Sequence, residues 1–92
     1  MIKTFRCRDT EALFNRQRCP RFQSIENPAR RKLTMLNNAQ SIQDLQVPPG
    51  NRLEELRGDR QGQHSIRIND QWRVGFVWRE PDAYEVEIVD YH

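Results

Sequence analysis

The chain has 92 residues, fifteen Lys and Arg against thirteen Asp and Glu, a net charge of +2 and a hydrophobic content of 36%. That length accommodates one core, burying roughly 60–65% of the unfolded surface, so residues 1–92 read as a single domain. No apolar run approaches a membrane span, and the opening MIKTFRCRDT lacks the apolar centre of a secretion signal. Thirteen of the basic residues are Arg, with Lys only at Lys3 and Lys32, a bias toward planar, bidentate contacts with phosphate and carboxylate. The charge is uneven: residues 1–37 carry nine basic and three acidic side chains, residues 38–92 six basic and ten acidic. Cys7 and Cys19 have no Cys or His neighbour at metal-ligand spacing. They are read as two reduced thiols of a cytoplasmic protein, with a disulfide as the alternative that a thiol count decides.

In chain order, residues 2–6 alternate briefly and predict a short strand. Asp9 or Thr10 is placed to cap a helix carrying Ala12, Leu13 and Phe14 on its apolar side. The helical pattern fades over residues 15–23, where Arg16, Arg18 and Arg21 surround Cys19-Pro20 in a basic, mobile loop. Ser24 then caps a longer helix in which Ile25, Ala29, Leu33 and Leu36 share one face. Arg30, Arg31 and Lys32 fall on its outside, as a solvated face or as a stripe facing phosphate. Residues 41–45 make at most one helical turn, and Pro48-Pro49-Gly50 ends all helical structure.

From Asn51 the period changes from 3.6 to 2. Ile66, Ile68, Trp72, Val74, Phe76, Trp78, Tyr84, Val86 and Ile88 all occupy even positions, so one face of the sheet is apolar and packs on the helices. The fold class is therefore α+β: an N-terminal strand, two helices, then a twisted antiparallel sheet of three to four strands. A two-residue loop at Asn69-Asp70 pairs Ile68 with Gln71 and puts the apolar faces out of phase. A three-residue loop, Asn69-Asp70-Gln71, pairs Ile68 with Trp72 and restores the phase. The same register sets Arg67 directly across from Arg73 on the open face. Like charges there are destabilising, so the pair needs either an anion between them or carboxylates such as Glu85 and Glu87 around them. The chain ends Asp90-Tyr91-His92 straight out of an apolar strand, which places a proton-transfer group at a held position. His64, the other histidine, has even parity and is read as a half-buried sheet residue or strand-edge contact.

The C-terminal half resembles a known family. PPGNRLE at residues 48–54, LRGDRQG at 56–62, SIRINDQWR at 65–73 and the ending VEIVDYH at 86–92 are closely similar to the HigB toxins of the RelE/ParE toxin–antitoxin superfamily. The resemblance implies a microbial-ribonuclease-like fold and ribosome-dependent cleavage of messenger RNA in the A site without a cofactor. It also implies neutralisation by a helix-turn-helix antitoxin of the HigA type, with operator DNA bound only through the toxin–antitoxin complex and no membrane involved. Carried over, the family's basic cluster is Arg57, Arg67 and Arg73 with Asp90, Tyr91 and His92. The expected catalytic residues are then Arg73, Asp90, Tyr91 and His92 with Glu54, and the expected RNA phosphate-binding residues are Arg57, Arg60 and Arg67. The chain departs at Glu54, where some members have histidine, so the general base is Glu54 or Asp90. The basic N-terminal half is expected to dock on ribosomal RNA through contacts that weaken with salt. Relatives in the same superfamily poison DNA gyrase, which keeps a non-catalytic toxin, binding gyrase or the ribosome, as the competing reading.

Overall fold

In the computed structural model, residues 1–55 and 62–90 are described. Two helices, α1 (Arg8–Phe14) and α2 (Glu26–Asn38), precede β1 (Glu54–Glu55), β2 (Gln63–Arg67), β3 (Trp72–Arg79) and β4 (Asp82–Asp90). The strands form one antiparallel sheet in the order β1-β2-β3-β4, which is the expected α+β architecture. Leu13, Phe22, Leu33 and Leu36 from the helical half meet Ile66, Val74, Val86 and Ile88 from the even positions of the sheet in one core. Burial at these positions supplies the main stabilising term, on the order of 1.5–3 kcal/mol per large apolar side chain.

Several local expectations give way to tertiary contacts. Helix α1 begins at Arg8, ahead of the expected caps. Thr10 lies inside the helix, fully buried, and its hydroxyl accepts a hydrogen bond from the Ile88 N–H at 3.0 Å. Asp9 instead pairs with Arg21 at 3.3 Å. The basic stretch 15–23 is anchored rather than loose. Pro20–Ile25 forms a 3-10 turn that runs into α2, Phe22 is buried edge-on to Trp72, and Ser24 caps nothing. Pro28 fits in the first turn of α2, where backbone N–H groups have no helical acceptor in any case. The triplet on α2 is only partly solvated. Arg30 donates to Glu26, to the Leu13 carbonyl and to the Gln17 carbonyl, Lys32 donates to Asn51, and of the three only Arg31 is exposed. Helical structure also continues past the prolines, since Pro49–Asn51 forms a short 3-10 turn.

The N-terminal residues make two isolated parallel bridges to β4, Ile2 to Ala83 and Phe5 to Val86, in place of a full strand. The cause is a bulge. Gly75 pairs with Glu87 and Val77 with Tyr84, so Phe76 of β3 faces two residues of β4. Glu85 takes φ 51° there, and its N–H is accepted by the Thr4 hydroxyl at 2.8 Å. An extra residue inverts the alternation beyond it. Ala83 therefore continues the buried row of Val86 and Ile88, while Tyr84, expected on the apolar face, turns to the other side under the Arg79 guanidinium. Cys7 and Cys19 are free thiols. Among the described residues, no helix is long and apolar enough to cross a membrane.

Replacing Thr10 by Val keeps its shape but leaves the buried Ile88 N–H without an acceptor, and should cost about 1–3 kcal/mol in urea unfolding, against a smaller loss for Thr10→Ser. Asp44 accepts from the N–H groups of Gln40 and Ser41, which hold its carboxyl below the ordinary value. Its folded pKa being the lower one, the stabilisation is complete at neutral pH and is lost as pH falls through the carboxylate range. An NMR titration should place its midpoint below that of a free aspartate, and Asp44→Asn should flatten the acid limb of the stability curve.

Candidate functional site

The β2–β3 connection takes the three-residue form. Ile68 N–H donates to the Trp72 carbonyl at 2.9 Å, and the Asn69 side-chain oxygen accepts from the N–H groups of Gln71 and Trp72, both at 2.8 Å. The register that follows sets Arg67 directly opposite Arg73. Both lie on the sheet face away from the helices, as the parity required. Their environments differ sharply. Arg67 has a side chain 32% exposed and pairs with Asp70 from the turn, whereas the Arg73 side chain is only 7% exposed.

Buried guanidinium groups need acceptors on every side. Arg73 donates Nε to the Ser65 hydroxyl at 2.9 Å and Nη2 to the Arg52 carbonyl at 2.6 Å, with the Ser65 carbonyl at 3.3 Å. The Glu54 carboxylate stands 3.9 Å from the same Nη2. The small residue opposite Ser65 is Gly75, which leaves the face open beside the clamp. Among the described residues, the carboxylates that pair with the two arginines are Asp70 and Glu54, whereas Glu87 faces Arg6 at 3.8 Å.

The segment that brings Arg52 and Glu54 here is itself pinned. Asn51 is fully buried, its amide donating to the Leu45 carbonyl at 3.1 Å and its side-chain oxygen accepting from Lys32. Arg52 follows in the left-handed region at φ 45°, ψ 57°, its N–H bonded to the Pro49 carbonyl. Glu54 then joins β1 opposite Ser65. Arg52, Glu54, Arg67, Asn69, Asp70 and Arg73 together line a depression of about 240 Å³. A second groove of about 380 Å³ continues along the open face past Ser65, Gly75 and Glu87.

Of the residues expected at the site, the fold thus brings Glu54, Arg67 and Arg73 together. Asp90 borders the far groove but pairs with Trp72, in the phase of Ile88 rather than of Arg67 and Arg73, and its carboxylate accepts from the Gln71 amide at 3.1 Å. Arg57, Arg60, Tyr91 and His92 lie outside the described residues. His64 is half-buried, stacked on Phe76 with its ring 5.9 Å away and Nε2 3.8 Å from Glu55, as its parity indicated. Two contributors escape sequence reasoning. Ser65 could have been noticed as a small polar residue in phase with the arginines, but nothing in the sequence marks Arg52 as left-handed.

A hollow where arginines and a carboxylate converge, open on one side and backed by a rigid sheet, is suited to holding an anionic ester and moving a proton at it. Comparison with known proteins places the chain. Residues 5–92 match the family of RelE-like toxins of the type II toxin–antitoxin system HigB. The chain is 53% identical over 55 residues to Toxin HigB-1 of Vibrio cholerae, a stretch covering 60% of this chain and 58% of that protein. It is 42% identical over 41 residues to Endoribonuclease HigB of Proteus vulgaris, covering 45% of each. The matched stretches thus span about half the length of these relatives. In three dimensions it is similar to the crystal structure of YafQ from E. coli, with a TM-score of 0.62 and 12% identity over 98% of this chain and 93% of that one, a likeness of fold. Since the family match takes in both helices and the whole sheet that carries the arginine depression, the chain belongs to the HigB-like, RelE-like toxins of type II toxin–antitoxin systems.

Proposed function

We infer that this toxin is a metal-independent endoribonuclease that cuts messenger RNA in the ribosomal A site, and that a HigA-type antitoxin neutralises it in the cytoplasm. The observation that carries the reading is the convergence of Arg67, Arg73 and Glu54 on one depression of the open sheet face. The relative from Proteus vulgaris, named an endoribonuclease, supports the same chemistry. In this reaction a base removes the proton of a 2′-hydroxyl, the 2′-oxygen bonds to phosphorus, and the bond to the 5′-oxygen breaks as that oxygen is protonated. A cyclic phosphate and a free 5′-hydroxyl are left. The developing negative charge on the phosphorane needs fixed cations.

Arg67 meets the phosphate from the half-exposed rim. Arg73 supplies positive charge from the floor, already oriented by Ser65 and the Arg52 carbonyl, so little reorganisation accompanies the reaction. Glu54 is the base, because its half-exposed carboxylate belongs to the same depression, whereas Asp90 is turned toward Gln71. His92 is the acid and Tyr91 positions the 2′-hydroxyl or stacks on a base, roles that rest on the family resemblance. Arg57 and Arg60 hold the RNA backbone on the same ground.

Docking falls to the helical side of the molecule. Arg16, Arg18 and Arg31 are exposed beside two adjoining hollows between the 15–23 stretch and α2. Such a patch attracts ribosomal RNA phosphate irrespective of sequence.

Purified protein should cut a defined message on programmed ribosomes and leave the bare message intact, as mapped by primer extension. Arg73→Ala should slow that cleavage on the order of 10²–10³-fold, and wild-type rates in this variant would remove Arg73 from the chemistry. Deletion of His92 should abolish it. Absence of cutting on ribosomes would instead move the assignment to a non-catalytic toxin, with plasmid supercoiling as the next assay. Charge reversal at Arg16, Arg18 and Arg31 together should weaken co-sedimentation with ribosomes and flatten its salt dependence; unchanged sedimentation would assign docking to another surface.

A further inference from the structure

Arg52 is the guanidinium of the depression that has no assigned role. It is exposed, and no carboxylate among the described residues engages it. It lines the same hollow as Arg67 and Arg73, on the side formed by the loop before β1. Its backbone stands at φ 45°, ψ 57°, a conformation that glycine adopts more readily than any residue with a Cβ. Two contacts hold it there: the Arg52 N–H bonds the Pro49 carbonyl at 3.1 Å, and the Arg52 carbonyl receives Nη2 of Arg73 at 2.6 Å. The chain thus places an arginine where glycine would be easier, and fixes its backbone to the buried arginine of the site. Neighbouring Asn51, buried and bonded to Leu45 and Lys32, keeps this loop from moving as an independent unit.

We propose that Arg52 is a further phosphate-binding residue of this toxin, contacting an RNA phosphate next to the one at which Arg67 and Arg73 act. The proposal rests on the ribonuclease reading of the same depression. A planar guanidinium that no carboxylate among the described residues engages is the group best placed to meet a phosphate arriving from solvent. Arg67, by contrast, must share its charge with Asp70. Arg52 would set the path of the RNA strand across the rim, so its loss should act on substrate capture more than on the bond-breaking step.

The test uses the full chain and separates backbone from side chain. Arg52→Gly removes the guanidinium while easing the left-handed conformation, and Arg52→Lys keeps the charge. Each variant is assayed for cleavage of message on programmed ribosomes as a function of ribosome concentration and salt, and for binding of a fluorescein-labelled single-stranded RNA dodecamer by anisotropy. Thermal unfolding is followed in parallel. The expected result for Arg52→Gly is roughly a tenfold fall in kcat/KM with kcat little changed, an undiminished Tm, and a slope of log affinity against log salt smaller by about 0.7. Arg52→Lys should recover most of the capture efficiency. If wild-type protein cleaves and Arg52→Gly matches it in kcat/KM and salt slope, Arg52 is only a structural turn residue and the proposal is overturned, with the ribonuclease reading intact. If wild-type protein does not cleave on ribosomes, that reading falls, and the proposal then stands or falls on whether Arg52→Gly lowers the salt slope of dodecamer binding. Protein that neither cleaves nor binds the dodecamer overturns both.

Discussion

The structure turns on one buried cation. Arg73 sits within the sheet with its side chain almost sealed from water, and a charge so placed is tolerated only where acceptors surround it. Those acceptors are the reason three separate parts of the chain meet. Ser65 brings in β2, the Arg52 carbonyl brings in the loop after the prolines, and Glu54 brings in β1. Take the guanidinium away and the loop loses the contact that holds its left-handed residue, β1 loses its charge partner, and the depression loses its floor.

That arrangement depends in turn on the hairpin. With three residues in the turn, Arg67 faces Arg73 and both are on the open side of the sheet. The even positions then bury Ile66, Val74 and Phe76 against the helices. A shift of one residue would bury the arginines in the apolar core and expose the core to water. The hydrophobic pattern therefore specifies the site indirectly: it is the burial of one face that fixes which charged residues share the other. The two arginines repel, and the fold answers with unlike partners, a turn carboxylate for Arg67 and neutral oxygens with a more distant carboxylate for Arg73. One charge stays at the rim and one is held below it. This division suits a site that must both attract an anion and present fixed charge to it.

The helical half does a different job. Its apolar face, through Phe22, Ile25, Ala29, Leu33 and Leu36, covers the back of the sheet, while its arginines divide between internal ties and exposed positions. Arg30 closes the gap to α1 and the 15–23 stretch, Arg21 pairs with Asp9, and Arg16, Arg18 and Arg31 remain at the surface. A count of basic residues therefore overstates the charge available to a partner, since several of these guanidiniums are occupied by the protein's own carbonyls and carboxylates.

Much of this was legible in the sequence. Period alone gave the α+β class, the buried faces of α2 and β3, and, through the phase of Ile68 and Trp72, the opposition of Arg67 and Arg73. Short motifs carried the family, because PPGNRLE, SIRINDQWR and VEIVDYH are long and ordered. What the sequence could not determine were the features set by contacts between distant residues. Thr10 is a helix cap by propensity, yet Ile88 claims its hydroxyl. Tyr84 belongs to the apolar row by parity, yet the bulge at Glu85 inverts it, and parity counting has no access to an extra residue in one strand. Lys32 reads as a solvated charge until Asn51 arrives beside it. Most of all, the sequence shows that Arg73 is present but not that Ser65 and the Arg52 carbonyl hold it, because a backbone carbonyl has no sequence signature and its direction is decided only when the loop, β1 and β2 close around the same buried charge.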